Sequence, residues 1–196
     1  MADQAEQFFN EGNNLAEQNR SSEAIASYNK AIAIKPDYAE AWCNRGHALG
    51  ELERYPEALV SYDKAIAIKP DYAEAWCNRG EVLYRLIRYP EALASYNKAI
   101  AIKPDYADAW LVRGIALYYR GHHKEALDSY DKAIAIEPDY DVAWWRRGDA
   151  LRHLGLYSEA IDSYDKAIAI EPNFPIAKSN REIAIRYQEI ALKKQP

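Results

Sequence analysis

Cys43 and His47 stand four residues apart, and Cys77 and Glu81 repeat that spacing 34 residues later. Residues four apart share one face of a helix. Two such pairs on neighbouring helices would offer four ligands of the kind a tetrahedral zinc ion takes. The plain alternative is duplication, because the block WCNRG at 42–46 recurs at 76–80 and copies its cysteine. Packed helices lie about 8–10 Å apart, which speaks against a Cys43–Cys77 disulfide. The expectation is two free thiols, no metal and no cofactor. His122 and His123 adjoin Gly121 and Lys124 and read as a solvated turn. Asp37 with Glu40, and Asp71 with Glu74, have the spacing of helix capping boxes, not of an acid–base pair. No glycine-rich phosphate loop or nucleophile elbow occurs in the sequence, so no catalytic residue is assigned and the chain reads as non-enzymatic.

The elements that carry these residues repeat. Pro36, Pro70, Pro104, Pro138 and Pro172 are 34 residues apart, as are Trp42, Trp76, Trp110 and Trp144. A fixed period of this size marks a solenoid, in which each unit packs only on its neighbours. Each unit resolves into two amphipathic helices. The stretch AEAWCNRGHALGEL places Ala41, Arg45, Ala48, Leu49 and Leu52 at helical spacing, and PEALVSYDKAIAI does the same with Ala58, Leu59, Tyr62, Ala65 and Ile66. Pro56 and Pro90 suit a first helical turn, where no backbone N–H is required. The Pro36 series ends the second helix, and Asp37, Asp71, Asp105 and Asp139 are expected as N-caps of the next one. Counting units from Ala5, Ala39, Ala73, Ala107 and Asp141, position 8 is always glycine, positions 20 and 27 alanine, and position 24 tyrosine. A mid-helix glycine costs about 1 kcal/mol against alanine, so five in register predict that small residues make room for a bulky aromatic from the facing helix. The expected core is positions 4, 8, 11, 20, 24 and 27.

Composition narrows the function. The chain of 196 residues is 49 % hydrophobic and 28 % charged, enough for a packed core. Its net charge is -5, and no dense Lys/Arg cluster of the kind that neutralises phosphates occurs, so nucleic acid is not an expected partner. No run of 18 apolar residues occurs and the opening MADQAEQFFNEGNN lacks a signal pattern, so neither a membrane nor export is expected, and the cytoplasm is the expected compartment. The SYDKAIAI blocks carry Asp and Lys on ordinary solvated faces.

The pattern W, then G, A, Y, A and P over 34 residues resembles the tetratricopeptide repeat across residues 5–174. The resemblance implies an all-α, right-handed α-solenoid of five helix-turn-helix units in a single domain spanning 1–196. The units are 5–38, 39–72, 73–106, 107–140 and 141–174, followed by a capping helix at about 175–194. Arg45, Arg79, Arg113 and Arg147 depart from the leucine the family prefers at position 7. Leucine replaces tyrosine at position 11. Residues 27–46 and 61–80 are identical at nineteen of twenty places, which fits recent duplication or an engineered, consensus-like module.

The family's first helices line a concave groove through positions 2, 5, 6, 9, 12 and 13, and this resemblance implies the candidate site. A polar and acidic zone holds Asn44, His47, Glu74, Asn78 and Glu81. An apolar zone holds Tyr84, Leu111, Val112, Ile115, Tyr118 and Tyr119, extra apolar groups where other units carry polar ones. A mixed basic zone holds Trp145, Arg146, Asp149, Arg152 and His153. The family's carboxylate clamp wants lysines that this chain replaces, with Glu74 and Asp108 at two of the places. The expected function is therefore a scaffold for a peptide or helix of a partner protein, anchored on the apolar zone. The alternatives are self-association, such as a homodimer, or a module without a ligand of its own.

Overall fold

A computed structural model describes residues 2–193, and the helices there follow the expected period. Contacts divide the chain into two compact units, one ending at Pro104 and the other beginning at Asp105. The first contains α1 (Ala2–Glu17), α2 (Ser21–Ile34), α3 (Ala39–Glu51), α4 (Tyr55–Ile68), α5 (Ala73–Arg85) and α6 (Tyr89–Ile102). The second contains α7 (Ala107–Tyr119), α8 (His123–Ile136), α9 (Asp141–His153), α10 (Tyr157–Ile170) and α11 (Pro175–Leu192). Each unit is a stack of helical hairpins, with α1 against α2, α3 against α4 and α5 against α6 in one, and α7 against α8 and α9 against α10 in the other. First helices of successive hairpins also touch, α1 with α3, α3 with α5 and α7 with α9. The architecture is an all-α helical repeat solenoid. Among the described residues, no helix is long and apolar enough to cross a membrane.

The glycine at position 8 has the predicted cause. A Cβ built on Gly80 or Gly114 would fall 2.5 Å from a ring carbon of Tyr96 or Tyr130, and one on Gly46 would fall 2.8 Å from Tyr62. Those tyrosines are among the largest fully buried side chains. The tryptophans of position 4 differ from the expected core residues: they are only partly buried. The indole N–H of Trp42 donates to the Pro36 carbonyl at 2.9 Å, Trp76 to Pro70 at 3.0 Å and Trp144 to Pro138 at 2.8 Å. The coincident Trp and Pro periods are thus one interaction. Each of these indoles takes up a carbonyl of the turn just beyond the end of the preceding helix.

The aspartates after those prolines are not caps. The N-caps of α3, α5, α7 and α9 are Tyr38, Tyr72, Tyr106 and Tyr140, one residue later, and none makes a side-chain cap hydrogen bond. The Pro-Asp pair is consumed by the turn, so the tyrosine carbonyl accepts the first helical bond, as from Trp42 N–H to Tyr38. The position-2 acids find other partners: Glu40 lies 3.7 Å from Lys69, and Asp108 accepts from the Tyr140 hydroxyl at 2.6 Å. The capping boxes expected of Asp37 with Glu40 and Asp71 with Glu74 do not form.

The position-7 arginines stitch the hairpins together. Arg45 donates to Asn29 on α2 at 2.7 Å and to Ser61 on α4 at 2.5 Å. Arg79 bridges Asp63 and Ser95 in the same way, and Arg147 bridges Asp131 and Ser163. The aspartates of the SYDKAIAI blocks are therefore inter-hairpin partners, not merely solvated ones. Helix α11 continues the register, since Arg181 meets Asp165 at 2.5 Å. Its position-8 residue is Glu182 instead of glycine, so it offers no seat for a further tyrosine.

The turn inside each hairpin contains one left-handed residue: Asn19, Glu53, Ile87, Gly121 and Gly155. At Ile87 (φ 61°) a β-branched residue occupies a conformation that costs roughly 1–2 kcal/mol, and it is 71 % exposed, so burial returns little. Ile87→Gly is expected to raise stability by about 1 kcal/mol in urea denaturation, after allowing for the greater freedom of glycine in the unfolded chain. Lower stability of the variant would show that the side chain contributes packing.

Candidate functional site

The candidate residues lie on the first helices, distributed over both units. On the first unit, Asn44 is held by its register. Its amide donates to Asn13 Oδ1 at 2.9 Å, and the same oxygen accepts from the Tyr28 hydroxyl at 2.9 Å. Position 9, position 24 and the next unit's position 6 thus form a closed polar trio. One repeat later the equivalents are His47, Tyr62 and Asn78, and among the described residues no hydrogen bond closes them. They line a cavity of about 210 Å³ together with Gly50, Glu51, Glu81 and Arg85, and the closed trio of Asn13, Tyr28 and Asn44 lines one of about 300 Å³. Arg85 lies 3.7 Å from Glu81 at the exposed rim. Glu74 is exposed and does not line this cavity. Tyr84 is partly buried, with its ring 5.5 Å from that of Tyr89.

Position 5 is core at Cys43, Cys77 and Leu111, contrary to the expected groove, and only partly buried at Phe9 and Trp145. Cys43 and Cys77 are buried free thiols, and burial pushes the Cys43 pKa up to about 11, away from the thiolate form a metal needs. Cys43, His47, Cys77 and Glu81 do not converge: the thiols point into the core, while His47 and Glu81 are exposed. Leu111 occupies the same position and is only 6 % exposed, so it is not available as an anchor. It faces the interior because a first helix turns position 5, with positions 1 and 3, toward its neighbours.

On the second unit the remaining apolar candidates do form a surface. Val112, Ile115 and Tyr118 are partly buried and Tyr119 is 54 % exposed, with its ring 5.6 Å from Tyr118 in an edge-on arrangement. The Tyr118 hydroxyl lies 2.9 Å from His153 Nδ1, and the His153 ring stacks on His123 at 4.9 Å. His123 therefore belongs to this cluster and not to a solvated turn. Its pKa is lowered by burial and by the neighbouring His153 and His122. His122 itself pairs with Glu125 at 2.7 Å.

Asp149 sits at the centre of the basic zone and is 5 % exposed. It repeats the closed trio with a carboxylate, accepting from the Tyr164 hydroxyl and the Asn180 amide at 2.8 Å each. Burial pushes its pKa up, while those two donors and the nearby Arg146 and Arg152 pull it down. Both guanidinium groups stand just outside hydrogen-bond reach of it, at 3.7 and 3.9 Å. Among the described residues their Nε atoms are buried without partners, as are Trp145 Nε1, Tyr130 Oη and His123 Nδ1. Tyr130 lacks a partner because its unit has Ile115 at position 9, where a polar residue would accept. Arg146 stacks 3.9 Å over the Trp145 ring, which meets Phe174 edge-on at 5.4 Å.

The trio partners Tyr62, Tyr164 and Asn180 are not among the sequence candidates. Their signal lies in the register, as a position-24 tyrosine whose hydroxyl faces position 9. Charge and exposure alone do not reveal it.

Comparison with known proteins agrees with this geometry. Models described as TPR repeat match residues 12–52 and 46–86, and models described as tetratricopeptide repeat match 71–138 and 111–175. A crystal structure of MamA is 26 % identical over 82 % of this chain and 94 % of that one, with a TM-score of 0.75. YrrB, described as a TPR protein with an unusual peptide-binding site, is 24 % identical over 89 % and 90 %, with a TM-score of 0.72. A thermophilic TPR protein in Thermus thermophilus is 21 % identical over 92 % and 98 %, with a TM-score of 0.73. No curated protein matches at a significant level. With repeat models covering it continuously from residue 12 to residue 175, the chain belongs to the tetratricopeptide repeat family.

Proposed function

We propose that this protein is a non-enzymatic scaffold that binds a peptide or helix of a partner protein along the first helices of its repeats. The family supports the class, and YrrB is described as peptide-binding. The observation that carries the reading lies on α7 and α9. Arg146 and Arg152 have side chains only 21 % and 20 % exposed, and their buried Nε atoms have no partner among the described residues. They stand beside the apolar surface of Val112, Ile115, Tyr118 and Tyr119. Largely desolvated guanidinium groups are costly unless a carboxylate or carbonyl completes their shell. An apolar anchor flanked by an acidic group meets both requirements. The buried free thiols fit a cytoplasmic setting.

The test is the affinity of an identified partner by calorimetry. Tyr119→Ala is expected to weaken binding by at least about 1 kcal/mol, and Arg152→Ala to weaken it in a salt-dependent manner. Unchanged affinity in both variants would place the site elsewhere. Self-association is favoured by one separate feature: Ile176, Tyr187, Ile190 and Leu192 of α11 are exposed. A monomer at every concentration in sedimentation removes that second reading.

A further inference from the structure

We infer that the bound segment places a carboxylate oxygen in the incomplete polar trio of Ile115, Tyr130 and Arg146, where Asn13 and Asp149 supply the acceptor in their own trios. This inference rests on the scaffold reading and names the group that the wall of α7 and α9 receives, the carboxylate of an aspartate or glutamate side chain or of a chain end.

Position 9 supplies the acceptor of a closed trio. Asn13 Oδ1 accepts from Tyr28 and from Asn44, position 6 of the next repeat, and Asp149 accepts from Tyr164 and Asn180, all at 2.8–2.9 Å. The fourth repeat keeps both donor positions and loses the acceptor: position 9 is Ile115, position 24 is Tyr130 and the next position 6 is Arg146. Tyr130 is 0 % exposed, and among the described residues neither its hydroxyl nor the buried Nε of Arg146 has a partner. Two buried donors beside an apolar side chain are costly, and one oxygen acceptor answers both. This place in the repeat borders open space, since Asn13, Tyr28 and Asn44 line a cavity of about 300 Å³.

Charge sets the kind of acceptor. Among the described residues, Asp149 is the one carboxylate paired with Arg146 or Arg152, at 3.7 and 3.9 Å, and its hydrogen bonds go to Tyr164 and Asn180. Two guanidinium groups against one carboxylate leave a single positive charge in a largely buried wall. A neutral carbonyl or a water molecule does not balance it, and a singly charged carboxylate does. Burial pushes the Tyr130 pKa up, and Arg146 is the charge that most opposes the rise, so the phenol and the guanidinium act on each other.

Arg146 is also oriented for the contact. Its Nη1 faces Asp149, and Nη1 lies across the planar group from the Nε hydrogen. The Nε edge is therefore turned away from Asp149, and a carboxylate meeting that edge takes two parallel N–H bonds. The guanidinium lies 3.9 Å over the Trp145 ring, which fixes the plane of the fork.

The probe is the peptide acetyl-Gly-Glu-Gly-amide, titrated into the full chain and followed by amide chemical shifts. We expect saturable shifts at Ile115, Tyr130, Arg146 and their neighbours on α7, α8 and α9, at least about tenfold weaker binding for the glutamine analogue, and at least about fivefold weakening by Arg146→Ala. Ile115→Asn gives the trio an acceptor of its own and should weaken the glutamate peptide at least about fivefold while the helical circular dichroism is retained. Ile115→Val, apolar like the native residue, should bind as the native chain does. Equal binding of the glutamine peptide, shifts elsewhere, or an Ile115→Asn variant that binds normally overturns the assignment. Acetyl-Gly-Gly-Gly with a free C-terminal carboxylate separates the two sources of the group: the tighter of the two peptides identifies the source, and either result supports the seat. The Tyr119→Ala measurement is independent: a partner effect without a carboxylate response removes this seat and keeps the scaffold. A carboxylate response without a partner effect keeps the seat and moves the scaffold's main anchor.

Discussion

Gly46→Ala is expected to destabilise the protein by about 2 kcal/mol, whereas Gly50→Ala on the same helix is expected to stabilise it by up to about 1 kcal/mol. Alanine is the better helix former by about 1 kcal/mol at both positions, so propensity alone predicts two gains. The surroundings differ. A Cβ on Gly46 would lie 2.8–3.0 Å from three carbons of the Tyr62 ring, whereas one on Gly50 meets a single methyl at 4.0 Å. Tyr62 is buried on α4 and cannot swing aside without displacing the hairpin. Overpacking of this kind costs about 1–3 kcal/mol or somewhat more, and it outweighs the propensity gain. Paired urea denaturation curves with unchanged m-values would measure both. Two gains of similar size would show that the hairpin is loose enough to absorb the methyl group.

Asp149→Ala is expected to cost about 3 kcal/mol, and Asp149→Asn much less. Removing the carboxylate strips Tyr164 and Asn180 of their acceptor and takes from Arg146 and Arg152 the anion that faces them. Losing one partner from a buried charge cluster is far more damaging than never having had it. Asparagine keeps an oxygen for both donors, as Asn13 does near the other end of the chain. The pH dependence has a definite sign. Burial raises the Asp149 pKa in the folded state, so the fold binds its proton more readily than the unfolded chain does. Its contribution is then fully present at acid pH and is lost as pH rises through the folded-state pKa. The stability of the native protein relative to Asp149→Asn should therefore fall as pH increases from acid toward neutral. A difference that grows over that range would mean that the arginines, not burial, dominate the site.

The arginines of this chain show how far identity and register differ as guides. Arg147 and Arg146 are adjacent, yet Arg147 donates to Asp131 and Ser163 while Arg146 lies over Trp145 with its Nε unpartnered. The sequence shows two neighbouring cations. Only the packing of α9 against α8 and α10 separates a tie between hairpins from a guanidinium lying on an indole beside Asp149. Leu111 teaches the same lesson in reverse. Against polar residues at other groove positions it looks like an exposed anchor, but its equivalents Cys43 and Cys77 are buried, and so is it. A single helical step of about 100° separates position 5 from position 6, which is enough to exchange core for groove.

The 34-residue period by itself determined the helical hairpins, their boundaries within a residue or two, and the pairing of glycine with tyrosine inside each one. Those features follow from local spacing and small-residue register, which every repeat states again. The tertiary structure decided the rest. It moved the caps from aspartate to tyrosine, tied the indoles to the prolines, and turned the cysteines inward. It closed the polar trio at Asn13 and Asp149 while leaving it open at His47. These outcomes depend on whether groups from two or three helices meet within about 3 Å. That distance is set by packing between hairpins, which no spacing along a single helix encodes.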